Sequence, residues 1–298
     1  MDFGRVAKNQ LSKIDFILPP EPPLNKKVLI KKSKKTSVYI GCAKWSRKEW
    51  IGKIYPKGTK EVNFLDEYVK HYNAIELNAT HYKLYKHDVF EKWIVKVKNK
   101  DFKFSPKVYK GISHFGSLVN KQDFTNTFLE NVMVFGKHLG PIFFQMNDRF
   151  SPKRKQELFE YLETLPKDVL FFLEVRHPEW FLPVQQDELF QKLKQLKIGA
   201  VITDTAGRRD CCHMHLTIPK TFIRFVGNFL HKTDYTRIDD WVKRIKYWLD
   251  KGLNELHFYM HMHDEAKFPE LTIYLAEKLN KECGLGVVVP EFVGKRKS

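Results

Sequence analysis

Between Phe171 and Phe181 the chain reads FFLEVRHPEWF. An apolar run gives way within seven positions to a carboxylate, a guanidinium, an imidazole and an indole: Glu174, Arg176, His177 and Trp180. The run is too short for a helix and predicts a strand buried on both faces. Residues two apart on a strand share a side, so Glu174 and Arg176 point together, as do Glu76 and Asn78 in IELNATHY. Other apolar runs also end in polar groups: Lys107, Gln145, Asp204, Arg224 with Asn228 beyond it, and His261. Placed at strand ends, these residues converge on one mouth. A charge inside a barrel costs several kcal/mol unless paired, and three carboxylates with three cations can neutralise one another there.

That constellation supports two readings. In one it is an ion-pair network closing the top of the fold. In the other it is a site for a small phosphate- or sugar-bearing ligand. Arg176 and Arg224 would hold an anionic oxygen through paired N–H donors, with Asn78, Lys107, Gln145 and Asn228 as further donors. Glu174, Glu76 or Asp204 would act as general acid or base, its pKa raised by neighbouring carboxylates. His177 precedes Pro178 and is therefore extended; it donates to a substrate or caps the loop.

His261 and His263 form an HxH pair, as do His213 and His215 beside Cys211 and Cys212. On a strand the two imidazoles of HxH share a face and can ligate a divalent metal, with Glu174 and Asp204 completing the set. No HExxH, CxxC or GxSxG accompanies them. Trp45, Trp50, Tyr82 and Trp180 come from loops at the same end; they either stack a base or a sugar, or plug the mouth.

The elements that must position these residues are eight short strands, at 38–42, 74–77, 102–104, 141–145, from 171, 198–203, 221–225 and 255–260. Helices are expected at 60–72, 88–97, 124–138, 151–165 with Ser151 as cap and Pro152 at its first position, 186–196, 239–249 and 271–283. The stretch AGRRDCCHMHLTIP does not look like a full helix. Strand–helix alternation over this length predicts an α/β fold, a TIM-barrel-like (β/α)8 barrel, with catalysis at the C-terminal ends of the strands. A doubly wound open sheet is the alternative, and the GxGxxG of nucleotide-binding open sheets is missing.

The barrel is expected over 38–292, as a single domain, with a basic Pro/Lys-rich arm at 1–37 and a basic tail at 293–298. Residues 1–37 hold nine Lys and Arg against three Asp and Glu, with Pro19-Pro20, Pro22-Pro23 and KKSKK, and read as an extended arm draped over the domain. The formal charge of +17 biases the chain towards polyanions. No stretch approaches the roughly 18 apolar residues of a membrane span. The N-terminus lacks a secretory apolar core, and four scattered cysteines do not make a disulfide framework. Cytoplasmic residence with no membrane partner is the expectation.

Five motifs occur in order: GCAKWSRKEWIGKIYPKG, IELNATHYKL, GPIFFQMNDRF, FFLEVRHPEWF and FIRFVGN. Together they resemble the YecE-like family, domain of unknown function 72, over roughly Val38 to Cys283. The resemblance implies a TIM-barrel-like fold with a pocket at the strands' C-terminal ends. It brings no established activity. The family's eighth strand usually ends Phe-Asn-Asn, whereas this one ends Met260-His261-Met262-His263-Asp264, so the work of the paired amides is done differently here or not at all. Two functions follow for testing: a hydrolase of a phosphate- or sugar-containing substrate, nucleic acid included, by carboxylate acid/base chemistry, or a non-catalytic nucleic-acid-binding protein.

Overall fold

The computed structural model describes residues 3–30 and 35–294. Its strands are β1 (Ser37–Cys42), β2 (Ala74–Leu77), β3 (Lys103–Pro106), β4 (Ile142–Gln145), β5 (Phe171–Glu174), β6 (Gly199–Asp204), β7 (Lys220–Gly227) and β8 (Glu255–Met262). All pair in parallel, in the order β3-β2-β1-β8-β7-β6-β5-β4. The two ends of that order meet through the bridges Phe104–Leu139 and Lys107–Phe143. Gly140 N donates to Phe104 O at 2.7 Å and Val108 N to Phe143 O at 3.0 Å. The sheet is therefore a nearly closed barrel, not a doubly wound open sheet.

The helices are α1 (Pro23–Val28), α2 (Phe64–His71), α3 (Ala79–Tyr82), α4 (His87–Val97), α5 (Lys110–Ser113), α6 (Gln122–Met133), α7 (Lys155–Glu163), α8 (Pro183–Leu196), α9 (Lys232–Lys251) and α10 (Phe268–Cys283). Apolar stripes on the larger ones pack against the outward side of the strands: Ile238, Trp241, Ile245 and Trp248 of α9 and Leu271, Leu275 and Leu279 of α10 are all buried. Helix α9 starts seven residues before the expected Asp239, because His231 caps it by accepting from Thr233 N and a polar first turn hides its onset. No helix among the described residues is long and apolar enough to cross a membrane.

The barrel interior is layered. Phe143, Phe172, Phe222, Tyr39 and Tyr259 form an aromatic floor with Val201 and Ala74. Alternation then lifts the next inward residues of β2, β4, β5 and β7 above it: Glu76, Gln145, Glu174 and Arg224.

Two features depart from a regular barrel. Between β1 and β2, Tyr68 from α2 completes the ladder, accepting from Cys42 N at 3.0 Å and donating to Ala74 O at 2.7 Å. Asn73 does the same one step away, on Ile40 N and Val38 O. Between β6 and β7 there is no α-helix, only a single 3-10 turn (Arg209–Cys211) and extended chain. The N-terminal segment packs there instead. It is not extended throughout: Lys8–Lys13 forms a 3-10 helix and α1 begins with Pro23 at its first position. Buried Asn25 donates to Met214 O at 2.9 Å and accepts from Leu216 N at 2.7 Å. Glu21 accepts from Trp248 Nε1 at 2.9 Å and from Arg244 at 3.2 Å. Phe16 lies against the guanidinium of Arg237 at 5.0 Å and that of Arg209 at 5.2 Å. Of the KKSKK run only Lys35 is described, and the Lys295-Arg296-Lys297 tail lies outside the described residues.

Gly41 is required by the close approach of β1 to β2, since a Cβ there would stand 2.0 Å from Ala74 O. Gly41→Ala should therefore shift backbone, with a loss of about 2 kcal/mol or more in urea unfolding. The equivalent change at exposed Gly58, where φ is +81° but nothing lies within 4 Å, should cost only the smaller backbone strain.

Candidate functional site

The C-terminal ends of β2, β4, β5 and β7 deliver one connected polar layer. Arg224, 1 % exposed, is its hub. Its Nε and Nη2 donate to Glu76 Oε2 and Oε1 at 2.8 and 2.9 Å, and its Nη1 donates to Glu174 Oε2 at 2.8 Å. Both carboxylates are further satisfied. Glu76 accepts from Asn78 Nδ2 at 2.8 Å and from His261 Nε2 at 2.9 Å. Glu174 accepts from Gln145 Nε2 at 2.8 Å, Arg176 Nε at 2.9 Å and Thr203 Oγ1 at 3.1 Å.

This pairing reverses the expectation of raised carboxylate pKa values. Burial alone would raise both, but Arg224 and His261 hold Glu76 well below the ordinary range, and Arg176 and Arg224 hold Glu174 down at about 2. Both are carboxylates at neutral pH with their lone pairs engaged. Neither is a proton donor there.

The titrating group is Lys107. It is buried, and among the described residues its Nζ donates to an amide oxygen, Gln145 Oε1, at 2.6 Å. Glu76 and Glu174 already balance Arg224 and Arg176, so Lys107 is a surplus cation. Burial first, then Arg224, pull its pKa down to about 7, against partial compensation by Glu174. Beside it, Arg176 Nη2 is buried without a hydrogen-bond partner among the described residues, with Asp148 Oδ1 3.7 Å from its Nη1. An amine and a guanidinium N–H thus share a rim with unused donor capacity.

Sequence reasoning missed two residues here. His81 and His114 lie with ring centroids 4.6 Å apart at the ends of β2 and β3. Burial, then Lys107, lowers them to about 3 and about 4, so both are neutral. His81 Nδ1 donates to Val108 O at 2.7 Å. Their signal was visible as lone histidines after two strand ends, but nothing local distinguished them from loop histidines. A cleft of about 220 Å³ opens next to His114, between Ile112, Ser113, Met146, Asn147 and Arg149.

Several expected members stand elsewhere. Asp204 does not face the hollow. Its neighbour Thr203 does, so alternation turns Asp204 outward to Arg237, Arg209 and Trp241 Nε1 of the surrounding shell. Asn228 closes the turn into α9 by donating to Asp234 from N and Nδ2. His177 caps the short helix Pro178–Phe181, accepting from Glu179 N at 3.3 Å. Trp180 is buried and donates to Phe150 O at 2.7 Å, and Trp50 donates to Glu265 O at 2.9 Å. Trp45 packs edge-on against Trp93 of α4. Tyr82 is exposed beside Lys110. The four suggested metal ligands are not brought together: His261 faces Glu76, His263 lies against Phe229 beyond the strand end, and Glu174 and Asp204 point to opposite sides of the wall. Among the described residues no group of three or more His, Cys, Asp and Glu side chains could hold a metal ion. His213 and His215 are occupied with Val201 O and His213 O and with Phe190.

A parallel barrel whose strand ends carry a buried acid–arginine layer over an aromatic floor defines a class of TIM-barrel-like proteins. Within that class this chain belongs to the family described as "Protein of unknown function DUF72", which it matches over residues 39–291. It is 27% identical over 276 residues to the UPF0759 protein YecE of Escherichia coli K12, covering 85% of this chain and 98% of that protein. A DUF72 protein of known structure from Enterococcus faecalis V583 superposes with a TM-score of 0.66 at 16% identity, over 88% of this chain and 99% of that one. Another, from Thermotoga maritima MSB8, gives 0.56 at 20% identity, over 76% and 92%. Both likenesses show the shared fold.

Removing Arg224 should leave buried Glu76 without its arginine and Glu174 with Arg176 alone. Arg224→Met is expected to cost about 3–5 kcal/mol in urea unfolding. In wild type the lowered pKa values make Glu76 and Glu174 stabilising above the unfolded range near pH 4.5, a contribution lost in acid, for Glu174 as the pH falls towards 2. Lys107 gives a slope of the same sign at higher pH, but through relief of a destabilising charge. Its folded pKa lies below its unfolded one, so stability should rise as the pH climbs from about 7 towards 10.5, a slope that Lys107→Met should flatten.

Proposed function

We propose that the barrel mouth binds a small ligand through an anionic oxygen and transfers a proton to or from it, Lys107 being the proton carrier. The reaction class that fits is hydrolysis of a phosphate- or sugar-containing substrate. The observation that carries this reading is the pairing of Lys107 Nζ with a neutral amide, beside Arg176 Nη2, which has no hydrogen-bond partner among the described residues, in an otherwise satisfied layer. An anion between them would supply the charge the layer lacks. Glu76 and Glu174 keep Arg224 and Arg176 in place and set the field; the chemistry at neutral pH falls to the amine whose pKa matches it.

The linkage gives a test that needs no substrate. Binding an anion raises the pKa of Lys107, so binding takes up a proton above about pH 7. Sulfate does not titrate in this range. Its stabilisation of the protein in thermal unfolding should be larger at pH 6.5 than at pH 8.5, and should be lost in Lys107→Met. Equal sulfate stabilisation of wild type and Lys107→Met would refute the role of Lys107. Release of nitrophenolate from p-nitrophenyl phosphate or glycosides, screened over the same pH range, then separates phosphate from sugar substrates.

A second reading, a nucleic-acid-binding protein, is favoured by exposed aromatic–lysine pairs. Tyr82 lies 5.8 Å from Lys110 and Phe124 lies 5.6 Å from Lys121, both rings well exposed. Such faces stack bases while the lysines meet phosphates. The logarithm of affinity for single-stranded DNA should then fall steeply with log salt, with a shallower slope after Lys110→Ala and Lys121→Ala. An unchanged slope removes this surface from the interaction.

A further inference from the structure

The N-terminal segment reaches the rim of the mouth. Phe3 lies with its ring centroid 3.9 Å from the guanidinium carbon of Arg176 and 5.2 Å from that of Arg208. Gly4 O accepts from Gly207 N at 2.8 Å, and Thr205 Oγ1 lies 3.3 Å from Phe3 O and Gly4 O. Gly4 has φ +68°, and a Cβ there would stand 2.4 Å from Thr205. The segment is thus seated closely at the end of β6.

Both guanidiniums are held independently of Phe3. Arg176 Nε is fixed on Glu174. Arg208 is forked onto Asp210 at 2.9 and 2.7 Å, and its Nη2 also donates to Arg176 O at 2.6 Å. Two rigid cationic faces therefore meet at one place, and a phenyl ring fills it. Phe3 is only half-buried, while the strong anchors of the segment, Leu11, Phe16 and Asn25, lie farther along. Residues between Phe3 and Leu11 can lift without undoing those anchors.

We propose that Arg176 and Arg208 form a subsite for a planar ring of the ligand, occupied here by the chain's own Phe3 as an internal stand-in. The ligand class is then a ring-bearing anion: its ring on the two guanidinium faces, its anionic oxygen at Arg176 Nη2 and Lys107. This rests on the anion-site reading above and extends it. It also explains why Arg176 carries both a ring on its face and an unused N–H at its edge. Phe3 lowers the apparent affinity by the fraction of time it stays seated.

Titration calorimetry with phenyl phosphate and inorganic phosphate tests it on the full chain. In Phe3→Ala, phenyl phosphate should bind roughly five- to tenfold tighter than in wild type, the range expected from freeing one stacked cation–aromatic contact. Inorganic phosphate, which lacks a ring, should gain less. Gly4→Val, which forces the segment off Thr205 by another route, should act in the same direction. Adding Arg208→Gln to Phe3→Ala should abolish the preference for phenyl phosphate. If both phosphates bind wild type and Phe3→Ala with the same affinities, the subsite is overturned while the anion site stands. If neither binds any of the proteins, both fall.

Discussion

One guanidinium joins chain segments 148 and 50 residues apart: Arg224 reaches Glu76 on one side and Glu174 on the other, inside the barrel and out of water. Taking these charges out of water is costly unless every lone pair is met. The remaining polar contacts of the layer follow from that condition. Asn78 and His261 add second donors to the two Glu76 oxygens and Gln145 adds one to Glu174 Oε2, all shared with Arg224, while Arg176 and Thr203 supply Glu174 Oε1, which Arg224 does not reach. The result is a rigid plate above the aromatic floor, stable because complete.

Completeness also sharpens what is left over. In a layer of balanced pairs, an extra buried amine stands out chemically. The ordinary reading of a barrel mouth assigns acid and base to carboxylates, but here the arginines hold those carboxylates ionised. The interaction that rigidifies the plate holds Glu76 and Glu174 ionised at neutral pH, while burial, then Arg224, depresses the pKa of Lys107.

Much of this was legible before any coordinates. Period-two alternation placed Glu76 with Asn78 and Glu174 with Arg176, and both pairs are hydrogen-bonded. Apolar runs located all eight strands because parallel strands buried on both faces are nearly uninterrupted. That same uniformity hid the parity of β6: with no polar face to set the phase, Asp204 was assigned inward when Thr203 holds that position. The depressed pKa of Lys107 was illegible for another reason. It depends on which carboxylates are already taken, a property of the whole layer and not of FSPK. The docking of Phe16 and Glu21 against α9 was equally hidden, since contacts over more than 200 residues leave no periodic trace.

The gap in the helical ring between β6 and β7 has a consequence for how the protein comes to be made. The segment that fills it leaves the ribosome well before Arg237, Arg244 and Trp248, against which it lodges. During synthesis its apolar residues Leu11, Phe16 and Leu24 must wait, without their resting place, until α9 has emerged. The segment is thus translated as an unfinished closure that only α9, made later, can seat.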